Sequence, residues 1–213
     1  MTPKPATGAK AVPVKGRAAE THTPDTAGDG SDLVAENARL RSALQDAEQL
    51  IAALRAESRE DPLTGLLNRR GFDAELERAF DMVRRYGSDA ALLYVDLDEF
   101  KAINDRHGHA AGDMALMHVA ALLVANVRRS DVVSRIGGDE FAIVLWHSTL
   151  GEAQAKAQML VAALATTPFE AGGHRIPIAA SIGFSVIDAE DSGPDAVMSR
   201  ADKAMYAIKK ARP

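Results

Sequence analysis

Apolar and polar positions divide the chain into a polar beginning, one heptad stretch, and a mixed region of short strands and amphipathic helices. Leu33, Leu40, Ala47 and Leu54 recur every seven residues, with Leu44 and Ile51 four after Leu40 and Ala47. Such a seam, with Asn37 as its polar member and charged flanks, predicts a parallel two-stranded coiled coil over residues 32–60. An amphipathic helix packed on its own domain is the alternative. Ser31 or Asp32 is expected to cap it, and Asp61-Pro62 to stop it.

Asn68–Tyr86 then reads as a helix, with Phe72, Leu76, Ala79, Phe80 and Val83 on one face. Ala90–Asp96 is a nearly continuous apolar run, as expected of a buried strand. A helical turn through Phe100 and Ile103 follows, then a loop around Gly108 and a helix over Asp113–Arg128. Val132–Ile136 and Asp139–Trp146, joined through two glycines, predict a hairpin, because glycine supplies the positive φ of a tight turn. A helix over Glu152–Ala165, a strand region over Ile176–Ile187 and a helix over Asp195–Ala211 complete the pattern. The order predicts an α+β fold, a ferredoxin-like βαββαβ core whose antiparallel sheet carries helices on one face and is elaborated at both ends.

Composition narrows the classes. A 213-residue chain that is 46% hydrophobic can bury one real core. Its net charge of −5 argues against general nucleic-acid binding but allows small phosphate sites. Without cysteine there are neither disulfides nor thiolate metal sites, in keeping with a cytoplasmic location. Residues 1–31 are rich in Ala, Thr, Pro, Gly and Lys and predict a disordered tail. The tail carries Lys4, Lys10, Lys15 and Arg17 but not the apolar run of a signal peptide. No stretch is long and apolar enough to cross a bilayer.

Candidate chemistry lies where the buried strand ends in Asp96-Leu-Asp98-Glu-Phe-Lys101, and where the hairpin turns through Gly137-Gly138-Asp139-Glu140. Carboxylates at the end of a buried strand are costly unless paired or bound to a cation. If the two stretches neighbour each other in one sheet, Asp96 lies beside Asp139 and Glu140, a hard-oxygen set suited to Mg²⁺. Lys101 adds a positive charge for phosphate. A solvated Gly-Gly-Asp turn is the plain alternative for the hairpin tip.

These residues resemble the GGDEF-domain diguanylate cyclases. The resemblance rests on Asp61-Pro-Leu-Thr-Gly-Leu-Leu-Asn-Arg-Arg-Gly-Phe72 and Asp96-x-Asp98-x-Phe100-Lys101-x-Ile103-Asn104-Asp105. Gly108-His109-x-x-Gly112-Asp113, Arg135-x-Gly-Gly-Asp-Glu-Phe141 and Ala201-Asp202-x-Ala204-Met205-Tyr206-x-x-Lys209 complete it. It runs from about Asp61 to Lys209, so residues 61–213 are expected to form the domain, with the palm-like core of nucleotide cyclases.

The resemblance implies that two GTP are joined into cyclic di-GMP, with Asp96, Asp139, Glu140 and the Leu97 carbonyl holding two Mg²⁺ or Mn²⁺ per active site. Asp139 also assists removal of the 3′-hydroxyl proton. Gly137 and Gly138 let the backbone approach the phosphates, and Lys101, Lys209 and the amides of Glu99 and Phe100 hold them. Asn104 and Asp113 select guanine, whose donor edge matches a carboxylate; a helix N-cap is the structural reading of Asp113. His107 and His109 read as loop structure.

Arg128-x-x-Asp131 matches the family's inhibitory product site, about 20 Å from Gly137 along an extended strand. An ordinary surface ion pair is the alternative, and Lys156 is the only basic residue on the following helix where a second arginine is usual. The chain also departs from the family after Lys209, ending Lys-Ala-Arg-Pro213 where a glycine and a strand are usual. Arg212 stands one residue out of register for the phosphate-binding arginine. The implied partners are GTP, cyclic di-GMP as product and inhibitor, a second copy through the coil, and a regulatory partner on the coil or tail. A silent GGDEF module that binds nucleotide and signals by contact is the competing reading, though this chain keeps the acids and glycines such members lose.

Overall fold

Strand β1 (Ala90–Leu97) is the centre of the molecule. It pairs antiparallel with β3 (Glu140–Trp146) on one side and β6 (Ala180–Val186) on the other. β2 (Val132–Arg135) adds to the outer edge of β3, giving the order β2-β3-β1-β6 of the expected ferredoxin-like core. The structure, a computed structural model, describes residues 30–211. The expected tail up to residue 29, and Arg212, lie outside the described residues. The chain divides into two units after Ala53, and each is described by itself.

The helices inside the βαββαβ core cover one face of the sheet as expected, and those added before and after it cover the other. Ala91, Leu93 and Val95 of β1 pack on α4 (His109–Ala125) and α5 (Leu150–Thr166). Leu92 and Tyr94 pack on α2 (Arg69–Tyr86) and α6 (Pro194–Ala211). A strand buried on both faces has no reason to alternate, which is why β1 reads as a continuous apolar run. A short hairpin absent from the expectation, β4 (Phe169–Ala171) with β5 (His174–Ile176), precedes β6.

Local signals set the helix ends. The side chain of Asn68 accepts from the Gly71 amide at 3.0 Å, so α2 starts one residue after the expected Asn68. Thr149 and Glu152 form a capping box at α5. On β6, a Cβ at Gly183 would stand 2.1 Å from the Ala201 carbonyl. Only glycine lets α6 lie this close, and this closeness brings Lys209 to the end of the sheet.

Helix α1 runs from Gly30 to Glu57, most of it in the first unit. Ser31 and Asp32 therefore fall in its first turn rather than ahead of it. Its seam is open to solvent, with Leu33 72% and Leu40 61% exposed. The heptad register does not carry on to Asp61, because the helix has ended and Asp61 sits in a turn.

Candidate active site

The β1–β3 register places Asp96 directly opposite Glu140. Residues paired across strands share a face, with Cβ atoms about 5 Å apart. Two carboxylates on such neighbouring positions repel each other, and a cation beside them offsets that repulsion. The amide of Leu97 donates to the Asp139 carbonyl at 3.2 Å, which brings the hairpin tip to the end of β1.

A cation already occupies one of these acids: the Lys209 ammonium donates to Asp96. That hydrogen bond, opposed by burial, pushes the Lys209 amine above its ordinary value. On Glu140, Oε1 accepts from the Tyr94 hydroxyl at 2.8 Å. Burial, then this contact with Glu140, raises the Tyr94 phenol far above its usual range, so it stays a donor. Asp98, set apart from this pair, accepts from the Ser181 hydroxyl at 2.8 Å.

Among the described residues no three acidic or histidine side chains converge as a ready metal cluster. The donor set nevertheless fits a hard divalent ion. Its members are carboxylate oxygens and a strand-end carbonyl, and a positive charge already stands on one of them.

The hairpin turn is closed by the amides of Ile136 and Gly137 donating to the Glu140 carbonyl at 2.9 and 3.3 Å. Neither Gly137 nor Gly138 has positive φ, so the turn does not need them for that reason. Gly137 leaves room for Glu140: a Cβ there would lie 2.2 Å from Oε2, at the far end of that side chain, and 3.1 Å from its Cβ. At Gly138 a Cβ would meet open space, which leaves the backbone approachable.

Arg135 clamps this turn. Its Nη2 donates to the Gly138 carbonyl at 2.7 Å, and its Nη1 to both Asp61 oxygens at 3.1 and 3.2 Å. Burial alone would raise the Asp61 carboxyl. The Thr64 donors and Arg135 outweigh it and hold the group below 3.8. The opening motif and the hairpin tip are thus one bonded unit, a role the sequence did not assign to Arg135.

Glu99 takes φ 55 at the start of α3 (Phe100–His107). A left-handed residue there turns the chain into α3, whose first amides have no intrahelical acceptor. Lys101 is exposed on this first turn. A cleft of about 790 Å³ adjoins it, reaching Asp98, Glu99, Arg106 and Lys209. On the other flank of α3, Asn104 lies over Gly112, where a Cβ would stand 1.9 Å from Asn104 Oδ1. Asn104 is thereby brought beside the segment carrying Asp113. α4 begins at His109, so Asp113 is inside the helix and exposed, not its N-cap. His107 and His109 end α3 and begin α4 instead of lying in a loop, and the His107 ring is 6.1 Å from that of His174.

Arg128 and Asp131 sit at the far end of β2, one strand length from Gly137. Both Asp131 oxygens serve the backbone, accepting from the amides of Arg128 at 2.9 Å and Trp146 at 3.1 Å. Arg128 is exposed, and Lys156 donates to the Asn126 carbonyl at 2.9 Å, next to this turn.

A palm-type sheet with carboxylates paired at the end of its central strands defines the class. The family profile described as "Diguanylate cyclase, GGDEF domain" matches residues 58–213, and the chain belongs to that family. It is 37% identical over 176 residues to Diguanylate cyclase DgcP of Pseudomonas aeruginosa, covering 81% of this chain and 26% of that protein. To Diguanylate cyclase TpbB of the same species it is 36% identical, covering 75% of this chain and 37% of that one. The chain thus spans less than half the length of these relatives. Among solved structures, a sensory box/GGDEF family protein from Caulobacter crescentus matches with TM-score 0.68 and 35% identity, covering 73% of this chain and all of that one. The coiled coil and GGDEF domain of DgcB from the same organism, in complex with c-di-GMP, matches with TM-score 0.68 and 26% identity, covering 84% and 94%. No helix among the described residues is long and apolar enough to cross a membrane.

Proposed function

We propose that the protein is a working diguanylate cyclase, joining two GTP into cyclic di-GMP with loss of two pyrophosphates. The observation that carries this reading is the facing pair Asp96 and Glu140 with a cation on it, in a chain that keeps the whole hairpin motif.

In each half-reaction a ribose 3′-oxygen bonds to the α-phosphorus of the other GTP while the bond to the β-phosphate oxygen breaks. Asp96, Asp139, Glu140 and the Leu97 carbonyl would hold two divalent ions, Mg²⁺ or Mn²⁺. When bound, such ions acidify the attacking hydroxyl and neutralise the leaving pyrophosphate. Asp139 at the hairpin tip takes the 3′-hydroxyl proton. The amides of Glu99 and Phe100, with Lys101 and Lys209, hold the β- and γ-phosphates. Gly138 lets the backbone approach them, and Asn104 and Asp113 fix the guanine edge. This alignment supplies most of the acceleration, since phosphoryl transfer needs little covalent help.

A site that binds one GTP cannot close the ring alone, so two domains (residues 61–213) must face each other. The open seam of α1 supports pairing through a parallel coil. Arg128 forms a product-inhibition site by offering its guanidinium to a phosphodiester or a guanine edge, and Asp131 shapes the turn beneath it. A structural neighbour from Pseudomonas aeruginosa, SiaD, was solved in complex with its activator SiaC, and the coil or tail is where a regulatory partner would act here.

The test is conversion of GTP to cyclic di-GMP by the purified full chain with Mg²⁺, repeated with ATP and on dilution. The reading expects product from GTP and little from ATP. It also expects activity per monomer to fall on dilution, and more steeply in a Leu40→Glu, Leu44→Glu variant. Tight binding of cyclic di-GMP without turnover would favour the silent module.

A further inference from the structure

We propose that Tyr94 and Gly137 are positioning residues that fix the carboxylate of Glu140 in its metal-binding orientation. The proposal rests on the metal role given to Glu140 above and adds what sets its geometry.

Tyr94 is 7% exposed, a core residue of β1 two positions before Asp96. Alternation along a strand puts Tyr94 and Asp96 on the same face, and the register puts Glu140 opposite Asp96. Tyr94 and Glu140 are therefore diagonal neighbours, within reach of a long aromatic side chain. The hydroxyl uses that reach to donate to Glu140 Oε1 at 2.8 Å. The ring cannot follow a moving carboxylate, because Tyr94 is packed within the core that contains Phe72, Leu92 and Met205.

The other oxygen lies where any residue but glycine would place a Cβ at position 137. The carboxylate is thus held by a donor on Oε1, and Gly137 leaves the room that this orientation needs for Oε2. One oxygen serves the protein and the other is left for the ion. Such outer partners orient a ligand and typically change metal affinity about 10- to 100-fold when removed.

Tyr94→Phe removes only the hydroxyl and keeps the ring. Mn²⁺ binding is followed by electron paramagnetic resonance, in the presence of a non-reactive GTP analogue, for wild type, Tyr94→Phe, Glu140→Gln and the double variant. Melting of each variant reports folding. The proposal expects Mn²⁺ affinity to fall about 10-fold or more in Tyr94→Phe at unchanged melting temperature. It also expects no further loss when Tyr94→Phe is added to Glu140→Gln, because the hydroxyl then has no carboxylate to orient. Gly137→Ala should mimic Tyr94→Phe. Wild-type Mn²⁺ affinity in Tyr94→Phe, alongside a clear loss in Glu140→Gln, overturns the positioning role and leaves the metal site standing. Additive losses in the double variant would also overturn it. Wild-type affinity in Glu140→Gln removes the metal role, and the proposal falls with it.

Discussion

The Lys209 ammonium donates to Asp96, so a residue of the last helix neutralises a carboxylate at the end of the central strand. In the proposed reading, an ion held by Asp96 would compete with Lys209 for that carboxylate and leave the ammonium free for the phosphates it is proposed to hold.

Lys209→Met should therefore act in opposite directions on two observables. Mn²⁺ affinity without nucleotide should rise, because Asp96 loses its competitor. The KM for GTP should rise about tenfold, the loss expected for one charge-assisted phosphate contact. Spin-resonance titration and steady-state kinetics measure the two. A joint fall in metal affinity and KM would contradict this reading.

The Asp61–Arg135 pair predicts a pH-dependent stability. The folded Asp61 carboxyl lies below its unfolded value of 3.8. A depressed group adds stability that is present above that value and is lost as pH falls through the folded one. Asp61→Asn should cost about 2 kcal/mol near neutral pH, the range for hydrogen bonds to a charged group. The gap from wild type should narrow as pH falls below 3.8 and close once the folded carboxyl is protonated. Urea unfolding at several pH values checks it, and a gap that persists in acid would show that the charge is not responsible.

Asp61 and Arg135 also mark the limit of what the sequence discloses. The four strands of the main sheet, their order and the acids at their ends were legible, because buried runs ending in carboxylates are a local signal. The second helical layer was implied by the unbroken apolar run of β1, which one-sided burial cannot explain. Partners far apart in sequence were not legible. Arg135 reads as a strand-end charge until Asp61 is beside it. Tyr94 reads as core until the register sets it diagonal to Glu140. Gly137 reads as a turn residue, though what it supplies is space and not positive φ.

Gly112→Ala should separate folding from binding. Alanine suits the interior of α4 better than glycine by about 1 kcal/mol, so stability should hold or rise. The added Cβ displaces Asn104, so KM for GTP should rise about tenfold with a smaller change in kcat. Melting curves and kinetics measure both, and unchanged KM would remove Asn104 from the guanine site.

At the far end of β2, Arg128 and Asp131 should differ. Arg128→Ala should relieve inhibition by added cyclic di-GMP without loss of stability, since its side chain is exposed. Asp131→Ala should cost about 2 kcal/mol, because its carboxylate accepts two backbone amides. Inhibition curves and unfolding midpoints test the pair. Unchanged inhibition in Arg128→Ala would show that this turn is structural only.

The central claim is that Asp96 and Glu140, facing each other across β1 and β3, hold the ion that makes the reaction run. Cyclic di-GMP formed from GTP and Mg²⁺ by wild type and Asp96→Asn, at a concentration where the protein is paired, tests it most directly. The account predicts steady product from wild type and a loss of about a thousandfold or more in a variant that melts as wild type does. Product from Asp96→Asn at the wild-type rate, or none from wild type, would contradict it.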